Sequence, residues 1–144
     1  MAITWRTDYA IRIMFEAARA GGRSTIRELA ESAGVPYDFS RSIARELAHS
    51  GLLVSRRGVT GGFELARPAE EITLRDIFEA TGEPMSMALC STDPTVCPRT
   101  DACPMHNGVW TELDRMIEEY LGRTTVADAI ERASELRALL AARG

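Results

Sequence analysis

The chain offers β structure in one place. Two short β-prone runs, Leu52–Ser55 and Phe63–Leu65, are joined by Arg56-Arg-Gly-Val-Thr-Gly-Gly62, a connection that is basic, glycine-rich and turn-like. The regular periodicity on both sides is helical. Tyr9, Ala10, Ile13, Met14, Ala17 and Ala18 fall on one face of a helix that stops at Gly21-Gly22. Thr25-Ile-Arg-Glu28 has the form of a capping box, and Ile26, Leu29, Ala30 and Ala33 follow it before Gly34. Phe39, Ile43 and Leu47 mark a third helix with these residues facing inward, closed near Ser50-Gly51. The expected fold class is therefore mainly α with a small β-wing.

Helix, short turn at Gly34-Val35-Pro36, helix, then hairpin is the order of a winged helix-turn-helix. In such a unit the second helix of the pair can lie in a DNA major groove. The exposed candidates there are Tyr37, Asp38, Ser40, Arg41, Ser42 and Arg45. An arginine forks onto a guanine edge, and serine or tyrosine bonds phosphate or base. Asp38 repels phosphate unless it accepts from a cytosine amine or caps the helix. In the wing, Arg56 and Arg57 stand beside Gly58 and Gly61, where a bare backbone lets arginine approach a minor groove.

A second capping pattern, Thr73-Leu-Arg-Asp76, opens a short helix ending at Thr81-Gly82. The stretch from Glu83 to Pro104 then carries four prolines and no sustained period, and reads as a loop. Trp110, Leu113, Ile117 and Tyr120 recur at coiled-coil-like spacing and form the expected dimer seam. Thr125-Val-Ala-Asp128 caps a last helix running toward Leu140. Three parts follow: a winged helix-turn-helix over 1–82, a cysteine loop over 83–104, and a long dimerisation helix with a C-terminal helix over 105–144, in one compact unit of 144 residues.

The net charge of −4 is unevenly spread. Residues 1–75 carry eleven arginines against nine acids, and 76–144 carry six against twelve. A mildly basic front half and an acidic back half suit a DNA-contacting module joined to a sensing and assembly module. No apolar run approaches the roughly 20 residues of a membrane span, and no secretory signal is legible, so the expected compartment is the cytoplasm. Catalysis is not expected. The chain shows no Ser/His/Asp set, no phosphate-binding glycine loop followed by lysine, and no paired carboxylates.

Cys90, Cys97 and Cys103 are spaced C-x6-C-x5-C, with His106 three residues beyond the last. An odd trio on a proline-stiffened loop reads as ligands or redox centres before it reads as a disulfide framework. Thiolates favour iron–sulfur clusters, zinc or copper(I), and the gaps are wider than the usual structural zinc pairs. From spacing alone a cluster, zinc and a thiol redox sensor all stay open.

Several motifs in order resemble the Rrf-two family of iron–sulfur winged-helix regulators, with its IscR, NsrR and RirA branches. They are Ile3-Thr4-x-x-Thr7-Asp8-Tyr9-Ala10-x-Arg12, Arg57-Gly58-x-x-Gly61-Gly62-Phe63-x-Leu65, Pro68-x-x-x-Ile72-Thr73-Leu74-x-Asp76-Ile77, the three cysteines, and Thr124-Thr125-Val126-x-Asp128. The resemblance implies a homodimer bound to a palindromic operator in double-stranded DNA, with a long helix crossing to the partner. It also implies an iron–sulfur cluster on Cys90, Cys97 and Cys103, close to the partner's DNA-binding half. Asp8 matches the aspartate that NsrR-like members supply from the other subunit to a 4Fe-4S cluster. His106 sits where IscR-like members place a histidine on a 2Fe-2S cluster. The longer match, Thr7-Asp8-Tyr9, favours the 4Fe-4S form, with His106 the alternative fourth ligand. Two departures stand out. Arg41 takes a position where IscR-like proteins can carry glutamate, so their operator preference does not transfer. The first cysteine gap is one residue longer than the commonest, as in RirA-like members.

Overall fold

A computed structural model describes residues 3–143, so Met1, Ala2 and Gly144, at the ends of the expected outer parts, lie outside the described residues. Helix α1 (Trp5–Ala20) is capped by the Thr4 hydroxyl and ends at Gly21, whose φ of 65° is the left-handed turn that the Gly-Gly pair signals. Helix α2 (Ile26–Ala33) begins in a complete capping box. The Thr25 hydroxyl accepts from the Glu28 amide, and the Glu28 carboxylate accepts from the Thr25 amide at 2.7 Å. Helix α3 (Tyr37–His49) follows after a short turn, with Pro36 at its N-cap.

Strands β1 (Leu53–Arg56) and β2 (Gly62–Leu65) pair antiparallel, Leu53 opposite Leu65 and Arg56 opposite Gly62. This is the wing, and it is tied back to the loop before α2 through Ser24, which exchanges two backbone hydrogen bonds with Phe63 at 2.8 and 2.9 Å. Helix α4 (Leu74–Thr81) opens with the expected Thr73–Asp76 box.

The segment between α4 and the long helix departs from a plain loop. It contains a one-turn helix, α5 (Leu89–Thr92), and two 3-10 turns, Pro94–Val96 and Thr100–Ala102. In Pro94–Val96 the proline at the first helical position and the Asp93 side chain accepting from the Thr95 amide are together enough for one turn, without the apolar period of a longer helix. Helical backbone then runs unbroken from 104 to 123. It passes through a π turn at His106–Trp110 into α6 (Thr111–Arg123). Helix α7 (Val126–Arg143) is opened by Thr125 and Asp128 and returns to the body of the chain, where the Val126 amide bonds the Ile72 carbonyl.

The core joins these pieces. Ala10, Ile13, Met14 and Ala17 of α1 pack with Leu29, Ile43, Leu47, Leu52, Leu53, Ile72, Ile77 and Val126. Each side chain is removed from water, and burial of this kind is worth about 1.5–3 kcal/mol per large aliphatic group. Among the described residues no helix is long and apolar enough to cross a membrane.

Candidate DNA interface and cysteine segment

The inward face of α3 is Ser40, Ile43, Ala44 and Leu47. Each residue advances about 100° around a helix, so a face centred on these four leaves position 39 on its flank. Two expectations are corrected accordingly. Ser40 is fully buried, its hydroxyl donating to the Tyr37 carbonyl at 2.7 Å, and is not available to DNA. Phe39 is not in the core: it is 59% exposed, with its ring 6.1 Å from Tyr9. Together with Trp5, Tyr9 and Ile43 it lines an apolar groove between α1 and α3.

Tyr37, Asp38, Arg41, Ser42 and Arg45 are exposed along one side of α3. Arg45 leans back to the Arg41 carbonyl at 3.3 Å, and Ser42 to the Phe39 carbonyl at 3.0 Å. Asp38 makes no side-chain cap, so its fit to the helix is that of a first-turn carboxylate facing a positive helix end. One contributor has no motif to announce it. The Arg27 guanidinium on α2 lies 4.4 Å from the centre of the Tyr37 ring and fixes that side chain at the start of α3.

In the wing, Arg57 and Gly58 are exposed at the tip and Arg56 leans on Glu64 at 3.4 Å. The glycines are structural as well as permissive. A Cβ on Gly61 would meet the Arg56 carbonyl oxygen at 2.6 Å, and one on Gly62 would meet the Ser24 carbonyl oxygen at 2.4 Å. Arg23, also unannounced in the sequence, donates to the Thr60 carbonyl at 2.9 Å and holds the tip from below.

Cys90, Cys97 and Cys103 are free thiols, each partly buried. Cys90 lies in α5, Cys97 ends the first 3-10 turn, and Cys103 ends the second. His106 opens the π turn, and its Nδ1 is buried without a hydrogen-bond partner. Asp114 on α6 grips the approach to Cys90, accepting from the Met87 amide at 2.8 Å and the Ser86 hydroxyl at 3.0 Å. Burial pushes its carboxyl up, but these bonds and the nearby His106 outweigh that and hold it below the usual range. Among the described residues no three His, Cys, Asp or Glu side chains converge within the chain. Asp8 stands apart on α1, its Oδ2 2.8 Å from an Arg12 guanidinium nitrogen in an ion pair too poorly aligned for a hydrogen bond.

Of the expected seam, Trp110, Leu113 and Ile117 are partly buried and Tyr120 is exposed. Leu113, Ile117 and Tyr120, with Met116 and Leu121, line an apolar groove along α6.

A helix pair with a basic, glycine-built wing beside it defines a winged-helix transcriptional regulator. The chain belongs to the Rrf2 family, whose model, described as "Iron-dependent Transcriptional regulator", matches residues 3–132. Among curated relatives, Protein aau3 of Rhizobium meliloti (strain 1021) is 33% identical over 142 residues, spanning 97% of this chain and 92% of that protein. Protein rrf2 of Nitratidesulfovibrio vulgaris (Hildenborough) is 28% identical, spanning 93% and 90%. Among solved structures, CymR (YrzC), the global cysteine regulator of B. subtilis, superposes with a TM-score of 0.76 at 24% identity, covering 92% of this chain and 98% of that one. T. potens IscR superposes with a TM-score of 0.72 at 25% identity, covering 94% and 90%. The family's description is that of a transcriptional regulator rather than of an enzyme.

Proposed function

We propose that this regulator is a homodimer whose affinity for a palindromic operator is set by an iron–sulfur cluster held on Cys90, Cys97 and Cys103. The observation that carries the reading is the state of the three thiols. They are free, partly buried and gathered on one short segment that leads directly into the helix bearing the apolar groove. Their chemistry suits a soft iron–sulfur centre. His106, three residues beyond Cys103, offers an orphaned Nδ1 as a nitrogen donor, and Asp8 of a partner subunit is the other claimant for the fourth position. When bound, such a group supplies a centre sensitive to nitric oxide, iron supply or redox state.

The protein's own part is positional. Metal binding and ordering of the ligand segment are one equilibrium, because ligands that do not converge beforehand must be drawn together. Tightening the segment acts on the start of the long helix and so on the spacing of the two recognition helices in a dimer. A 10- to 100-fold change in operator affinity needs only about 1.4–2.8 kcal/mol of differential stabilisation. The exposure of Tyr37, Arg41, Ser42, Arg45, Arg56 and Arg57 supports their assignment as the side chains that contact DNA.

A second reading keeps the same fold and replaces the cluster by zinc or a reversible disulfide. It is favoured by the same three free, partly buried thiols, whose chemistry serves zinc or a redox couple as well. The test is Cys97→Ala. Operator fragments are first selected from genomic DNA, and binding is measured against salt for the anaerobically reconstituted protein and the variant. The cluster reading expects visible absorbance to vanish and affinity to shift while the dimer stays folded. Unaltered absorbance in the variant contradicts it.

A further inference from the structure

Glu83 is the first residue after the left-handed Gly82 that ends α4, and therefore the first residue of the cysteine-bearing segment. Its side chain does not point into that segment. One oxygen, Oε2, accepts from the Thr4 amide at 3.1 Å, the Thr4 hydroxyl at 2.6 Å and the Thr7 hydroxyl at 2.7 Å. Thr7 is fully buried, and its hydroxyl also lies 2.8 Å from that of Thr81 in the last turn of α4. A single carboxylate thus joins the end of α4, the start of the cysteine segment and the first turn of α1. Burial pushes the carboxyl up, but its three donors outweigh this and keep it ionised below the ordinary range. A carboxylate at a helix N-terminus is also favoured by the helix dipole.

The same first turn faces the recognition helix on another side. Arg6 makes a two-pronged ion pair with Glu46 on α3, Nε to Oε2 at 2.9 Å, with the other nitrogen on the other oxygen. Tyr9, a turn further on, packs its ring toward Phe39 of α3. Glu83 and α3 therefore hold the same turn of α1 from different sides. Hydrogen bonds to an ionised group are about twice as strong as neutral ones, so this is a firm polar tie between α1 and the cysteine segment.

We propose that Glu83 is the positioning residue that passes a change in the cysteine segment to α1 and, through Arg6 and Glu46, to the recognition helix. This rests on the reading of the cysteine segment as the sensing element. A carboxylate that only staples the helix would stabilise α1 equally in every state of the thiols. A carboxylate that transmits makes exchange in α1 and α3 depend on what is done to the cysteines.

The test uses the full chain and hydrogen–deuterium exchange, with N-ethylmaleimide as the perturbation, since the only thiols are the three cysteines. In the wild type, alkylation is expected to change exchange on the order of tenfold, the worth of one charge-assisted hydrogen bond, in peptides over 84–104, 3–9 and 37–49. In Glu83→Gln and in Thr7→Val the 84–104 response is expected to remain and the other two to be lost. Thr7→Ser, which keeps the hydroxyl, is expected to restore them. A wild-type response confined to 84–104, or an α3 response that survives both substitutions, overturns the proposal. Anaerobic reconstitution with ferrous iron and sulfide is run beside it. A chain that takes up no cluster contradicts the cofactor reading and leaves the alkylation comparison intact, so the two failures are distinguishable.

Discussion

At the residue scale, two polar positions on α3 have opposite fates. Ser40 is buried with its hydroxyl satisfied inside the helix, whereas Arg45, five residues on, is exposed on the side that carries Tyr37, Arg41 and Ser42. Arg45→Ala is expected to weaken operator binding by about 1–3 kcal/mol and to relax the preference at the base it reads. Ser40→Ala is expected to leave operator affinity within about twofold, since it removes a local helix bond and no contact with DNA. Fluorescence anisotropy on labelled operator over a salt series separates the two, and equal losses would place Ser40 back on the DNA face. Periodicity found this helix and its Ile43 and Leu47 face. It did not resolve Ser40 from Phe39, because a small hydroxyl bonded to its own helix and a large ring on the flank reverse the usual order of burial.

At the scale of elements, the wing shows how close backbone approach is built. Gly62 has a φ of 151°, and a methyl group there would fall 2.4 Å from the Ser24 carbonyl oxygen, which belongs to the loop before α2. Gly62→Ala is expected to cost more than about 1 kcal/mol in chemical denaturation and to weaken DNA binding beyond the loss of stability, because the wing must shift. An unchanged denaturation midpoint would contradict the tight seating of β2 on that loop. The three boxes at Thr25, Thr73 and Thr125, the glycine stops and the hairpin were all legible, since each is written in a local pattern of a few residues. Arg27 over Tyr37, Arg23 under Thr60 and Asp114 around Met87 were not, because their partners are distant in sequence and belong to no repeating pattern. The short turns between α4 and α6 escaped for another reason: an element of a single turn is too short to show a period.

At the scale of the whole molecule, the start of the cysteine segment is held by two carboxylates: Glu83 reaches α1, and Asp114 of α6 accepts from Ser86 and Met87. The Glu83 carboxyl is held below its ordinary range in the folded chain. A depressed folded-state pKa contributes stability at pH values above the unfolded carboxylate range and loses it as pH falls through the folded value. The melting temperature is therefore expected to be flat from neutrality down to about pH 5 and to fall below about pH 4, with a shallower fall in Glu83→Gln. Differential scanning calorimetry across that range checks it, and identical acid limbs for the two proteins would contradict it. The winged helix could be read from the order of helix pair and hairpin, and the family from motifs spread along the chain. The cluster could not be read from spacing alone, since thiols so placed serve several soft metals or a redox couple. The most direct measurement is the iron and acid-labile sulfide content of the anaerobically purified chain. Iron and sulfide are expected in equal amounts, about four of each per chain for the four-iron form, both lost in Cys97→Ala. Zinc in their place, or no metal and thiols that cycle to a disulfide, would contradict the cluster reading.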